Sequence, residues 1–160
     1  MRRKEREVKE PSEILKILSS CKIMRVAFND GDHIYVVPVN FGFEYSDGKL
    51  TLFFHGARDG RKFGLVQKGG NVGFEMDADY QLMAAETACA HSAFYSSIIG
   101  EGEISEVLES EKKKSALNLI MLNATGKGSW NFPSIMVKKV GVFKIEAAEF
   151  SCKAHRIPRA

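Results

Sequence analysis

The stretch "HIYVVPVNFGFEY", residues 33–45, decides the fold. Tyr35, Val37, Val39, Phe41, Phe43 and Tyr45 fall on one side of an extended chain. Val36, Pro38, Asn40, Gly42 and Glu44 fall on the other. Apolar residues at every second position mark a strand with one side buried and the other turned outward. Pro38 has no N–H to give a neighbour, so it belongs at a sheet edge or a bulge, where nearby backbone groups are free to meet a ligand. The flanking segments "NDGD" (29–32) and "SDG" (46–48) carry hairpin turn chemistry, so strands are expected at about 23–28 and 49–55.

Working outward, Ile14, Leu15, Ile17 and Leu18 recur at helical spacing behind Pro11 and Ser12, predicting a short amphipathic helix that ends near Cys21. A helix is expected at about 58–68 and a strand at 72–78 after the turn "KGGN" (68–71). The segment 81–93 is rich in small residues. A long strand follows at 93–107, with Gly100 and Gly102 marking a bend or bulge. A helix at about 109–123 packs Ala116, Leu117, Ile120 and Met121. Residues 124–133 form a loop, and 136–147 a last strand. About six strands in meander order with three short helices predict an α+β, mainly β fold: a small closed β-barrel with short flanking helices.

The chain has 160 residues, a length that predicts one domain over 1–160. Its first ten residues, "MRRKEREVKE", alternate in charge, as a solvated helix or frayed tail does, and lack the apolar stretch of a secretory signal. A net charge of +3 gives no support for nucleic acid as a partner. No apolar run approaches the roughly 18 residues of a membrane span, so no membrane partner is expected. Cys21, Cys89 and Cys152 are odd in number and widely spaced, which predicts a reducing, cytoplasmic setting rather than a disulfide framework.

One stretch carries chemistry. In "FFHGARDGRKFGL" (53–65) an apolar run passes directly into His55, Arg58, Arg61 and Lys62, with Asp59 as the local counter-charge. It falls where a strand ends and a helix begins, so free N–H groups of the first helical turn point at whatever lies there. Gly56 and Gly60 remove side chains that would hold an anion off the backbone. The alternative is a solvated helix start; against it, cations at a helix N-terminus oppose the macrodipole.

The ordered set "VPVNFGFE" (37–44), "LFFHGARDGRKF" (52–63), "NVGFEMD" (71–77) and "YSSIIGEGE" (95–103) resembles the flavin-binding split-barrel family related to pyridoxamine 5'-phosphate oxidase. Within it, the branch of Nim-type 5-nitroimidazole-resistance proteins is the most similar, with "MRRKEREV" and the late "HR" (155–156) fitting that branch. The resemblance covers nearly the whole chain. It implies a homodimer of six-stranded split barrels with flavin mononucleotide (FMN) in clefts at the subunit interface. It assigns Arg61 and Lys62 to the flavin phosphate and Val37, Pro38, Val39 and Asn40 to the edge of the ring. Phe54 and His55 would line the ribityl chain and ring, with Ser96 and Ser97, on the neighbouring strand, completing the pocket. The polar face carrying Asn40 and Gly42 is where a cofactor would be met.

The implied activity is FMN-dependent reduction of a small acceptor such as a nitroimidazole or other nitro-aromatic, with His55 the candidate proton donor. The other reading is a flavin or haem carrier or sensor without turnover of its own. The tail "KAHRIPRA" (153–160) does not match the basic substrate motif of a vitamin B6 oxidase, so that activity is not expected. His155 and Arg156 either reach the partner's flavin, as the C-terminal segment does in relatives, or are solvated. Cys89 with His91 and Cys152 with His155 have the wrong spacing for a zinc site, and no metal is expected. Cys89 is expected to pack as a small hydrophobe.

Overall fold

The computed structural model describes residues 3–156. Helix α1 (Pro11–Ser20) opens with proline in its first turn, where a missing N–H costs nothing, and buries Ile14, Ile17 and Leu18. Strands β1 (Met24–Asp30), β2 (His33–Val39), β3 (Phe41–Ser46) and β4 (Lys49–Gly56) follow. Then come α2 (Gly60–Lys68), β5 (Asn71–Met83), β6 (Ser92–Glu106), α3 (Ser110–Thr125), α4 (Ser134–Lys139) and β7 (Gly141–His155).

The run 33–45 is therefore two strands. The alternation passes through Asn40 unbroken, but Asn40 is the joint between β2 and β3. The strands form one antiparallel sheet in the order β2-β1-β5-β6-β7-β4-β3. Its two outermost strands are joined by that single residue, so the sheet must curl until its edges meet. This gives a split barrel of seven strands, one more than expected, and puts Pro38 on an edge strand. At the seam, buried Asn123 of α3 donates from Nδ2 to the carbonyls of Cys21 and Phe41, at 3.2 and 3.1 Å. It thus gives both of these backbone oxygens a buried donor.

The inward row fills the barrel: Val26, Phe28, Phe41, Leu52, Phe54, Phe74, Met76, Ile98, Phe143 and Ile145 share one buried cluster with Leu18 of α1 and Leu65 of α2. Burying each such side chain contributes about 1.5–3 kcal/mol. Outside the barrel, α3 packs on β3 so closely that a Cβ on Gly42 would collide with the backbone of Leu119 and Ile120. The polar face at Gly42 is thus covered by helix and is not available to a ligand, contrary to the sequence expectation.

The last expected strand, 136–147, also divides. Ser134–Lys139 is helical, started after Pro133, and β7 runs on to His155. Against β6, Glu101 pairs with Glu149 and Gly102 with Ala147, leaving Ala148 as an extra residue. That bulge flips the inward positions from 143 and 145 to 150 and 152, which hides the second half of the strand from a period-two reading. A similar irregularity in β5 includes Asp79 at φ 60°, just past the expected end at 78.

The charged N-terminal segment is not free. Lys4–Arg6 makes one helical turn, and the N–H of Val8 donates to Cys152 O at 2.9 Å, laying this segment along β7. Residues 1 and 2 of that expectation lie outside the described range.

Candidate functional site

At the end of β4 the chain turns outward through Gly56 into α2, whose N-cap residue Asp59 makes no side-chain hydrogen bond to the helix. The cations read from the sequence separate here into three environments. Arg58 Nε lies 3.2 Å from Glu106 Oε1, and its guanidinium sits over the Phe63 ring. Arg61 donates from Nε to Asp30 Oδ2 at 2.8 Å, and its guanidinium lies 4.6 Å from the centroid of the Tyr35 ring. Lys62 is half-buried beside the barrel mouth, Nζ 5.8 Å from the centroid of Phe54, and no carboxylate of the described residues pairs with it. Burial pushes its ammonium below the usual lysine range. The stretch is thus better offset than its own sequence suggests, because Asp30 and Glu106 arrive from distant strands.

Gly56 allows this arrangement. A Cβ there would stand 2.6 Å from Lys62 Nζ and 3.0 Å from Cε. The ammonium lies where only a glycine leaves it room.

The assigned ring-side residues do not all converge. Phe54 and His55 are adjacent in a strand and point to opposite faces. Phe54 is 0 % exposed, its ring against Phe143, so it forms the floor under Lys62 and not the wall of a cleft. His55 faces outward into an apolar groove of about 240 Å³. There α3 contributes Leu117 and Met121, the following loop Phe132, and α4 Met136. Burial, and then the Lys62 charge, push the His55 pKa down, so its imidazole is neutral at neutral pH. Of the edge-strand residues, Val39 is buried and Val37 half-buried facing the barrel, while Pro38 and Asn40 are exposed. Asn40 donates from Nδ2 to Lys22 O at 3.1 Å.

Ser96 and Ser97 are not on a strand neighbouring β2 or β4. They sit in β6, opposite Ala78 and Asp77 of β5, and Ser96 is 2 % exposed. The far end of β6, Glu106, is the end that meets Arg58. Nine residues of strand separate it from Ser97, roughly 30 Å at 3.3 Å per residue. Within one chain these serines do not join the cationic mouth.

At the other end, His155 Nδ1 lies 2.6 Å from Ala93 O and Arg156 pairs with Glu13, so both are tied to their own chain. Cys89 is exposed and does not pack as a hydrophobe, whereas burial pushes the Cys21 and Cys152 thiols to about 12 and about 11. Among the described residues, no three or more His, Cys, Asp or Glu side chains gather to hold a metal ion. Sequence reasoning missed Asp30 and Tyr35, which it read only as turn and core, and the groove beside His55.

A sheet curled into a split barrel, with a half-buried ammonium and a stacked guanidinium at one mouth, defines the class: an α+β split barrel with a cationic mouth. The sequence profile of the pyridoxamine 5'-phosphate oxidase family matches residues 10–154, and the chain belongs to that family. Among solved structures it is similar to a candidate 5-nitroimidazole antibiotic resistance protein from Bacteroides thetaiotaomicron. The TM-score is 0.77 and the identity 26%, over 92% of this chain and 86% of that one. The flavocytochrome Anf3 from Azotobacter vinelandii superposes with TM-score 0.77 at 17% identity, over 99% of this chain and 73% of that one. The FAD and heme binding protein from Mycobacterium smegmatis gives 0.74 at 15%, over 97% and 76%. At those last two identities the likeness is one of fold. No curated protein matches the sequence. No helix of the described residues is long and apolar enough to cross a membrane.

Proposed function

We propose that this protein is a cytoplasmic FMN-dependent oxidoreductase that reduces a small planar acceptor, a nitro-aromatic such as a nitroimidazole being the favoured class. The observation that carries the reading is Lys62: a half-buried ammonium, with no carboxylate partner among the described residues, in a space kept by Gly56 beside a stacked Arg61. Burying an uncompensated charge is costly, and a phosphate dianion is the partner that offsets it. The resistance protein at 26% identity supports the choice of acceptor. FMN, when bound, supplies reversible electron transfer, and the protein's part is to hold and orient it. Lys62 and Arg61 grip the phosphate, the edge strand around Pro38 borders the ring, and His55, as neutral imidazole, donates a hydrogen bond to the acceptor.

A second copy of the chain completes the site in this proposal. The outer face of β2, β1, β5 and β6 presents Ile34 (70 % exposed), Val36 (53 %) and Ile99 (57 %). Ala27 and Gly73 lie flat between them in register with Val36. Arg25, the one cation on this face among the described residues, is already held by Glu75 and Asp77, at 3.0 and 2.7 Å. Glu101, in register with Gly73, and Glu103 stand exposed on the β6 side, so the apolar part of the face is the strip over β2, β1 and β5, which suits an isologous contact.

A second reading has a specific observation behind it. The groove holding His55, Met121 and Met136 offers side chains of the type that ligate haem iron, and two structural neighbours are a flavocytochrome and a FAD and heme binding protein. Under it the protein is a flavin or haem carrier or sensor. The absorption spectrum of the purified protein separates flavin from haem. Anaerobic stopped-flow mixing of the reduced protein with a nitroimidazole or quinone then separates enzyme from carrier. The enzyme reading expects faster reoxidation than free reduced FMN at the same concentration. Slower reoxidation by every small acceptor tried contradicts it.

A further inference from the structure

Asp30 stands at the hairpin end of β1 and reaches α2 across the barrel mouth. Its Oδ2 accepts from Arg61 Nε at 2.8 Å, and its Oδ1 lies 3.7 Å from Lys68 Nζ. Tyr35, in the opposite arm of the same hairpin, supplies the ring on which the Arg61 guanidinium stacks. These two contacts use the side edge and one face of the guanidinium. Its outer edge, the pair of terminal NH₂ groups that makes two-pronged bonds to phosphate, meets no acceptor among the described residues. An arginine on an exposed helix otherwise carries rotamer freedom that binding must remove. Here the β1–β2 hairpin has removed it beforehand.

We propose that Asp30, with Tyr35, is the positioning residue of the phosphate seat: it fixes the Arg61 fork toward the ligand instead of merely neutralising it. This rests on the FMN reading above and adds the means by which that site selects the phosphorylated flavin. Lys68 on α2 also reaches Asp30, and the Asp30 carboxylate is held below the usual range first by its bond from Arg61. The relationship leads to an asymmetry. Asparagine at position 30 keeps an oxygen that accepts from Nε but sheds the negative charge, whereas alanine loses both.

The test measures FMN and riboflavin affinity of the full chain by fluorescence titration, for wild type, Asp30→Ala and Asp30→Asn. Asp30→Ala should weaken FMN binding by about five- to tenfold, the scale of re-immobilising one long side chain. Riboflavin binding should stay unchanged. Asp30→Asn should bind FMN at least as tightly as wild type. The inference is overturned if Asp30→Ala binds FMN as tightly as wild type or more tightly, since the carboxylate would then compete with phosphate. It is also overturned if both flavins weaken together, which marks a structural role, or if asparagine fails to rescue. A wild type that does not prefer FMN to riboflavin defeats the phosphate seat itself, and the inference with it.

Discussion

Arg61 and Lys62 are neighbours in sequence but unlike in state. Arg61 donates to Asp30 at 2.8 Å, whereas Lys62, over the Phe54 ring, meets no carboxylate among the described residues. The two should therefore contribute differently to an anion. Arg61→Ala should weaken FMN binding by about 1.5–3 kcal/mol, the scale of a charge-assisted hydrogen bond, and leave riboflavin unaffected. Arg61→Lys should behave like alanine, because an ammonium neither stacks on Tyr35 nor forms a fork. Paired titrations with the two flavins check both.

Gly56→Ala is a test of room. The added Cβ meets the far end of a flexible side chain, so Lys62 can swing away with little strain. FMN affinity should fall while the thermal midpoint stays within about 2 °C of wild type. A large loss of thermal stability with FMN affinity retained would place the role of Gly56 in the fold.

Alkaline titration reads the same ammonium. Burial lowers the folded-state pKa of Lys62 below its ordinary 10.5. In the folded protein the proton leaves earlier as pH rises, and the phosphate partner is lost with it. The preference for FMN over riboflavin should therefore decline before about pH 10.5 in wild type. Lys62→Arg, which does not deprotonate in this range, should keep its preference there.

The seam of the barrel depends on Asn123. Asn123→Ala strips two buried carbonyls, those of Cys21 and Phe41, of their donor. The urea midpoint should fall by the equivalent of about 2–3 kcal/mol, with the slope unchanged.

Much of this was legible in the residues. The alternation of 33–45 gave the half-buried edge and the position of Pro38, and "HGARDGRK" marked the cationic mouth. The break at Asn40 was not legible, because the inward parity continues as the chain passes from one sheet edge to the other. Nor was α4, whose Met136 and Val137 read as strand until Pro133 is seen to start a helical turn. Ala148 inverts the parity of β7 without a glycine to announce it. Within the site, side-chain direction and distance along the sheet were not legible. Phe54 points inward where His55 points out, and Ser97 lies at the end of β6 away from Glu106 and Arg58. The counter-charges Asp30 and Glu106 come from strands remote in sequence, so a count of local charges overstated the bareness of the mouth.

The apolar outer face predicts an assembly. Light scattering of the flavin-loaded protein should give twice the chain mass, and Val36→Glu, placed in the middle of that face, should return a monomer with weakened FMN binding. A monomer that keeps its flavin at full affinity is inconsistent with a cleft completed by a second copy.

The most direct test of the central claim is the difference in binding free energy between FMN and riboflavin for wild type and for Lys62→Met. Methionine keeps the apolar stem over Phe54 and removes the ammonium. The account predicts that wild type binds FMN at least about 100-fold more tightly than riboflavin, the worth of two charged contacts at about 1.5–3 kcal/mol each. Lys62→Met should lose about half of that preference, counted as free energy, with riboflavin affinity intact. Equal affinity of wild type for the two flavins, or a preference that survives Lys62→Met undiminished, would contradict it.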